Sequence, residues 1–200
     1  MLLDYKKPTV NSYTATEIMD KMGPCQNQYN ATFNTTTGNV TVNADGNVYY
    51  SGNVVTNEFV WVEHTTENPS SGILGFDLRS MAGKTIVSAK LRVYLVESTG
   101  WMDFTGVVVD HINFGSSIDA TDYNGGTLAS NIGTISSNSA VGWKELDVTS
   151  YVQADLTEGR ASSQYRFMLN GVLGACVARF EDAENTGGTG NKPQLIITYH

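Results

Sequence analysis

The chain has 200 residues, of which 40% are hydrophobic and only 16% charged, with a formal net charge of −8. That apolar content supports one ordinary domain core and argues against an intrinsically disordered chain. The negative balance disfavours nucleic acid and anionic membrane surfaces, which are bound through Lys and Arg, and no stretch reaches the ~20 apolar residues of a membrane-spanning helix.

Met1–Val10 lacks the basic start and apolar run of a secretory signal. The composition nevertheless suits an extracellular or cell-surface protein whose export route is not written here. Thr14 to Glu17 fits a capping box, and Ile18, Met19 and Met22 share a stripe before Gly23-Pro24, so a short helix is expected over about 15–22. A polar Asn/Thr-rich run follows, with Asn-x-Thr triplets at Asn30, Asn34 and Asn39 that such a composition produces by chance. Residues 1–38 therefore read as an extended N-terminal arm, and 39–200 as the folded domain.

From Val40 the pattern is that of strands. Val40–Val42, Val48–Tyr50, Phe59–Val62 and Ile73-Leu74 mark the first ones. Ala89–Val96 alternates apolar and polar residues, as a half-buried strand does, and Val107–Val109 reads as covered on both faces. Asn124-Gly125-Gly126 breaks the chain. Val148, Val152 and Leu156 recur every four residues and suggest a helical turn over 151–156, and Tyr165–Leu169, Cys176–Phe180 and Leu195–Tyr199 read as three further strands. The expected fold is an all-β jelly-roll β-sandwich with a short N-terminal helix in an extended arm.

Four segments, in order, resemble one family: Ile73-Leu-Gly-Phe-Asp-Leu-Arg-Ser80; Ile86-Val-Ser-Ala-Lys-Leu-Arg-Val-Tyr-Leu95; Gly142-Trp-Lys-Glu-Leu-Asp-Val-Thr-Ser-Tyr-Val-Gln153; and Lys192-Pro-Gln-Leu-Ile-Ile-Thr-Tyr199. Together they are similar to the DNRLRE-domain (disaggregatase-related) family, which overlaps a carbohydrate-binding module family with alginate-binding members. The resemblance spans Val40 to Tyr199 and implies a jelly roll on secreted or cell-surface proteins. Two departures fall in loops: Ala120–Gly125 replaces a Trp-containing stretch, and Asp155 stands where a Trp often follows the Val-Gln pair. The motif residues themselves are those strands and caps require. Asp147 and Thr149 suit a side-chain cap for a helical turn, and Pro193 opens the last strand.

Catalytic residues are expected to be none. The histidines are His64, His111 and the terminal His200, and no Gly-x-Ser-x-Gly motif is present. Asp77, Asp110, Glu145, Asp147, Glu181, Asp182 and Glu184 supply carboxylates, but in positions where strand ends are ordinarily solvated or capped. Glu181, Asp182 and Glu184 cluster oxygen donors suited to calcium, against the plainer reading of an acidic turn. For carbohydrate, Trp101 and Tyr123 beside glycine-rich turns are the candidate exposed rings, with Lys90 and Arg92 as cationic partners. Trp61 and Trp143 read as core.

The leading functional expectation is a non-catalytic subunit of an extracellular fibre or surface particle. Its arm residues Tyr13, Ile18, Met22, Cys25, Tyr29 and Phe33 would add a strand to a neighbouring copy. Cys25 and Cys176 would be free thiols or a lock at that joint. The alternative is a carbohydrate-binding module for an acidic or cell-surface polysaccharide. A third reading is a viral coat or decoration protein.

Overall fold

A computed structural model describes residues 35–40, 42–56, 58–100 and 104–200. The expected arm helix and the arm residues Tyr13, Ile18, Met22, Cys25, Tyr29 and Phe33 lie outside the described residues, as does Trp101. The described unit runs from Thr35 to His200.

Twelve strands form one continuous antiparallel sheet that curls back into two packed layers. They are β1 (Thr36–Val40), β2 (Val42–Tyr49), β3 (Val54–Val55), β4 (Val60–His64), β5 (Ser70–Asp77), β6 (Ile86–Thr99), β7 (Gly106–Ile112), β8 (Thr127–Ser136), β9 (Gly142–Asp147), β10 (Ser162–Asn170), β11 (Cys176–Phe180) and β12 (Gln194–Tyr199). The only α-helix among the described residues is α1 (Thr149–Thr157). In one layer the long strand β6 has β9 on one flank and β12 then β11 on the other, with β4 beyond β11 and β1 beyond β12. The second layer runs β2-β5-β10-β7-β8. Glu63 paired with Ser70 joins the layers. The far margins meet where Gly133 of β8 lies so close to Leu146 of β9 that a Cβ would come within 2.5 Å of Leu146 Cδ1.

Between the layers, Val62, Phe76, Leu91, Val93, Leu95, Val109, Tyr165, Phe167, Phe180 and Leu195 form the core, each essentially inaccessible. β5 is buried on both faces: Leu74 and Phe76 enter the main core, while Ile73 joins Val48, Ile112 and Phe114 in a second cluster on the outer side. The excursion 113–126 covers that outer side. Gly75 makes the cover fit, because a side chain there would meet Phe114 Cζ at 2.9 Å.

α1 begins as the side-chain chemistry requires. Asp147 Oδ1 accepts the Thr149 N–H at 2.9 Å, and Thr149 Oγ1 accepts the Ala89 N–H at 2.9 Å, tying the helix start to β6. Asp155, at the position where the resembled family often has Trp, is fully buried. It is satisfied by His111 Nε2 at 2.9 Å and Arg160 Nη1 at 3.2 Å. Two strands escape simple periodicity. β8 is largely exposed on both sides and rich in Ser, Thr and Asn, so it shows no apolar alternation. β9 is recognisable from its motif but has no buried residue of its own.

Candidate functional site

The outer face of the β4-β11-β6-β9 layer carries a row of aromatic and cationic side chains. On β6 the core residues Leu91, Val93 and Leu95 alternate with Lys90, Arg92 and Tyr94, so the latter three point outward. Register then sets Glu145 opposite Arg92 and Trp143 opposite Tyr94 on β9, Gln194 opposite Arg92 on β12, and Trp61 opposite Arg179 between β4 and β11. Lys90 and Arg92, expected as cationic partners, share this face with both described tryptophans.

Trp61 and Trp143 do not lie in the core, contrary to the sequence expectation. Each is half-buried on the outer face beneath an arginine: Arg92 Cζ is 4.0 Å from the centroid of Trp143, and Arg179 Cζ is 4.4 Å from that of Trp61. The hydrophobic pattern misled because a stacked guanidinium shields a ring much as a core neighbour does. Tyr94 meets Trp143 edge-to-face at 5.4 Å. Glu145 accepts from Lys90 Nζ at 2.8 Å and pairs with Arg92 Nε at 2.9 Å. The Lys90 hydrogen bond, with Arg92 adding to it, holds the Glu145 carboxyl below its ordinary range. Arg179 pairs with Glu97 at 2.7 Å. The stretch from Lys90 to Glu97 covers ~23 Å of strand at the usual rise. It carries two arginine-stacked tryptophans beside cations paired with carboxylates.

Tyr123 is in a different place. It ends a one-turn 3-10 helix, Ala120–Tyr123, opened by a capping box in which Asp119 Oδ1 accepts the Thr121 N–H and Asp122 Oδ2 accepts the Asp119 N–H, both at 2.7 Å. Its ring meets that of Tyr50, the most exposed described aromatic, at 5.7 Å.

The expected calcium group is rearranged. Glu181 and Asp182 are fully buried, and their oxygens hold the following loop. Glu181 Oε1 accepts the Gly187 N–H at 2.7 Å, and Asp182 Oδ1 accepts the Thr186 N–H at 2.8 Å. Glu181 stands apart from the oxygen cluster, which consists of Asp45, Asp182 and Glu184 with carboxylate atoms within 4.8 Å of one another. Asp45, distant in sequence, gave no local signal. Burial, with Glu184 and Asp182 nearby, pushes its carboxyl up to about 6. Of the other carboxylates, Asp110 is buried in an ion pair with Arg166 at 2.6 Å, and Asp77 pairs with Arg79.

The profile of carbohydrate-binding module family 96 matches residues 30–199. The chain belongs to this family. The family 96 match takes in β1 to β12 and begins a few residues ahead of β1, inside the stretch read as arm. Comparison with curated proteins finds no match. Carbohydrate-binding modules are non-catalytic, in keeping with the reading of this chain as no enzyme. Among the described residues no helix is long and apolar enough to cross a membrane. Membership in family 96 supports the polysaccharide-binding alternative over the fibre-subunit expectation, whose named residues all fall outside the described part.

Proposed function

We propose that this family 96 module binds an extended, carboxylate-bearing polysaccharide along the outer face of β6 and β9, outside the cell or at its surface. The observation that carries this reading is the stacking of Arg92 on Trp143 beside Lys90, on an open sheet face. A stacked guanidinium keeps its in-plane N–H groups directed sideways; Arg92 Nε faces Glu145 at 2.9 Å and Nη1 donates to Gln194 Oε1 at 3.3 Å, and a ligand carboxylate would share these groups with them. Tyr94, half-buried on the same face, offers ring surface to the C–H faces of sugar rings. Glu145 holds both cations in place by charge, and a uronate carboxylate would take over part of its role. The likeness to DNRLRE domains supports the same reading. Affinity electrophoresis through gels containing alginate, pectate or neutral glucans tests it. Retardation by the acidic polymers, relieved by Arg92→Ala, is expected.

A further inference from the structure

A second concavity lies where β4 joins the other layer, between the 3-10 turn that ends at Tyr123 and the β4–β5 hairpin. It has a volume of about 210 Å³ and is lined by Glu63, His64, Ser70, Tyr123, Asn124 and Arg166, among others. It shares no residue with the Trp143 face. We propose that this pocket is a separate sugar site that takes one neutral pyranose unit, and the proposal stands whether or not the sheet face binds polysaccharide.

The pocket is built before any ligand arrives. Arg166, 3% exposed, is salt-bridged to Asp110 and donates through Nη1 to the carbonyls of Asp122 at 3.1 Å and Gly125 at 2.8 Å. Its Nη2 also reaches Thr127 Oγ1 at 2.7 Å. One buried guanidinium therefore holds the chain on both sides of Tyr123, at Asp122 and at Gly125. Tyr50 N–H donates to the carbonyl of Pro69, a lining residue, at 2.9 Å, and the Tyr50 ring meets that of Tyr123 edge-to-face at 5.7 Å. Preorganised walls of this kind remove the ordering cost that weakens binding to loops.

Two buried polar atoms on lining residues have no hydrogen-bond partner among the described residues: Ser70 Oγ, on a residue 5% exposed, and Arg166 Nε. Buried polar groups are nearly always paired, and these two hold unused hydrogen-bonding capacity beside the pocket. Ser70 can donate and accept, Arg166 Nε donates, Asn124 does both, and Glu63 accepts. A sugar hydroxyl both donates and accepts, which matches this set. The aromatic wall suits the C–H face of a pyranose. Its volume admits about one such unit. Charge decides between neutral and acidic sugars: Asp110 already neutralises Arg166, leaving Glu63 at the rim as the net charge, which repels a uronate or sulfate.

Titration of the 15N-labelled full chain with methyl β-D-glucopyranoside, methyl β-D-galactopyranoside, methyl α-D-mannopyranoside and methyl β-D-glucuronide tests this. Saturable shifts are expected for at least one neutral glycoside, at amides of 63–71 and 122–126, with the glucuronide weaker. Tyr123→Ala should weaken binding about fivefold, as loss of one stacked ring implies. Ser70→Ala keeps the fold, since the hydroxyl has no partner among the described residues, yet should also weaken binding. Glu63→Gln should narrow the gap between glucoside and glucuronide. Shifts confined to β6 and β9, no saturation with any neutral glycoside, or a glucuronide that binds as well as the glucoside would overturn the assignment.

Discussion

Arg166 of β10 reaches Asp110 of β7 at 2.6 Å, both side chains about 4% exposed, directly beneath a loop to which neither belongs. The pair is opposite in the β7–β10 register, so sheet pairing itself brings the charges together. Arg166→Met would leave the Asp110 carboxylate buried without its cation. Removing one partner of a buried pair typically costs about 3–5 kcal/mol. Denaturant unfolding should show a loss of this size, and a smaller loss in the double variant Asp110→Asn/Arg166→Met. Equal losses in the single and double variants would mean that the charge pair is not what holds the loop.

Gly126 tests the same loop from its backbone. Its φ is +65°, and a Cβ would lie 2.5 Å from the Asn113 carbonyl oxygen. Gly126→Ala therefore meets both left-handed strain and a backbone clash, and should destabilise by about 1–3 kcal/mol. An unchanged unfolding midpoint would contradict the described loop geometry.

Most of the fold is legible in the sequence because β6, β7 and β10 to β12 carry apolar alternation or runs that only strands bury well. α1 is legible from a four-residue spacing and from Asp147. The candidate face is less so. Lys90 and Arg92 announce themselves as outward positions on an alternating strand, but Trp143 beside them reads as core, because sequence does not show that Arg92 will lie across its ring. Asp45 joins Asp182 and Glu184 across more than a hundred residues, and nothing local marks it. Ser70 and Arg166 become pocket residues only once β4, β5 and β10 are laid side by side.

Asp45 gives a pH dependence of defined sign. Its folded carboxyl is raised from 3.8 to about 6, chiefly by burial. The folded state therefore binds that proton more tightly than the unfolded chain, and this group's contribution favours folding increasingly as pH falls from about 6 toward 4. Above pH 6 the buried charge costs about 1–2 kcal/mol after allowance for solvent screening. Asp45→Asn keeps an acceptor for the Ala183 N–H, which Asp45 Oδ2 now accepts at 2.9 Å. The variant should be more stable than the parent at pH 7.5, with the difference shrinking at pH 4.5. A constant difference across that range would show that Asp45 titrates normally.

A chain beginning at Thr35 retains β1, which pairs with β12 from Thr36↔Tyr199 to Val40↔Leu195. It should be soluble, β-rich by circular dichroism and cooperative in unfolding. Beginning at Val42 instead removes β1 and bares the β12 edge, which should lower the unfolding temperature. Light scattering of the Thr35 chain beside the full chain also reads out the arm: loss of larger species on truncation would support self-association through residues 1–34.

The most direct test of polysaccharide binding on the β6–β9 face is calorimetric titration of the full chain with alginate oligosaccharides, alongside Arg92→Ala and Lys90→Ala. The account predicts saturable binding that falls with added salt, as contacts between exposed charges do, and that weakens at least about tenfold in the Arg92 variant, since hydrogen bonds to charged groups contribute about 1.5–3 kcal/mol. Binding of equal strength in the parent and both variants, or none to any acidic polysaccharide, would contradict it.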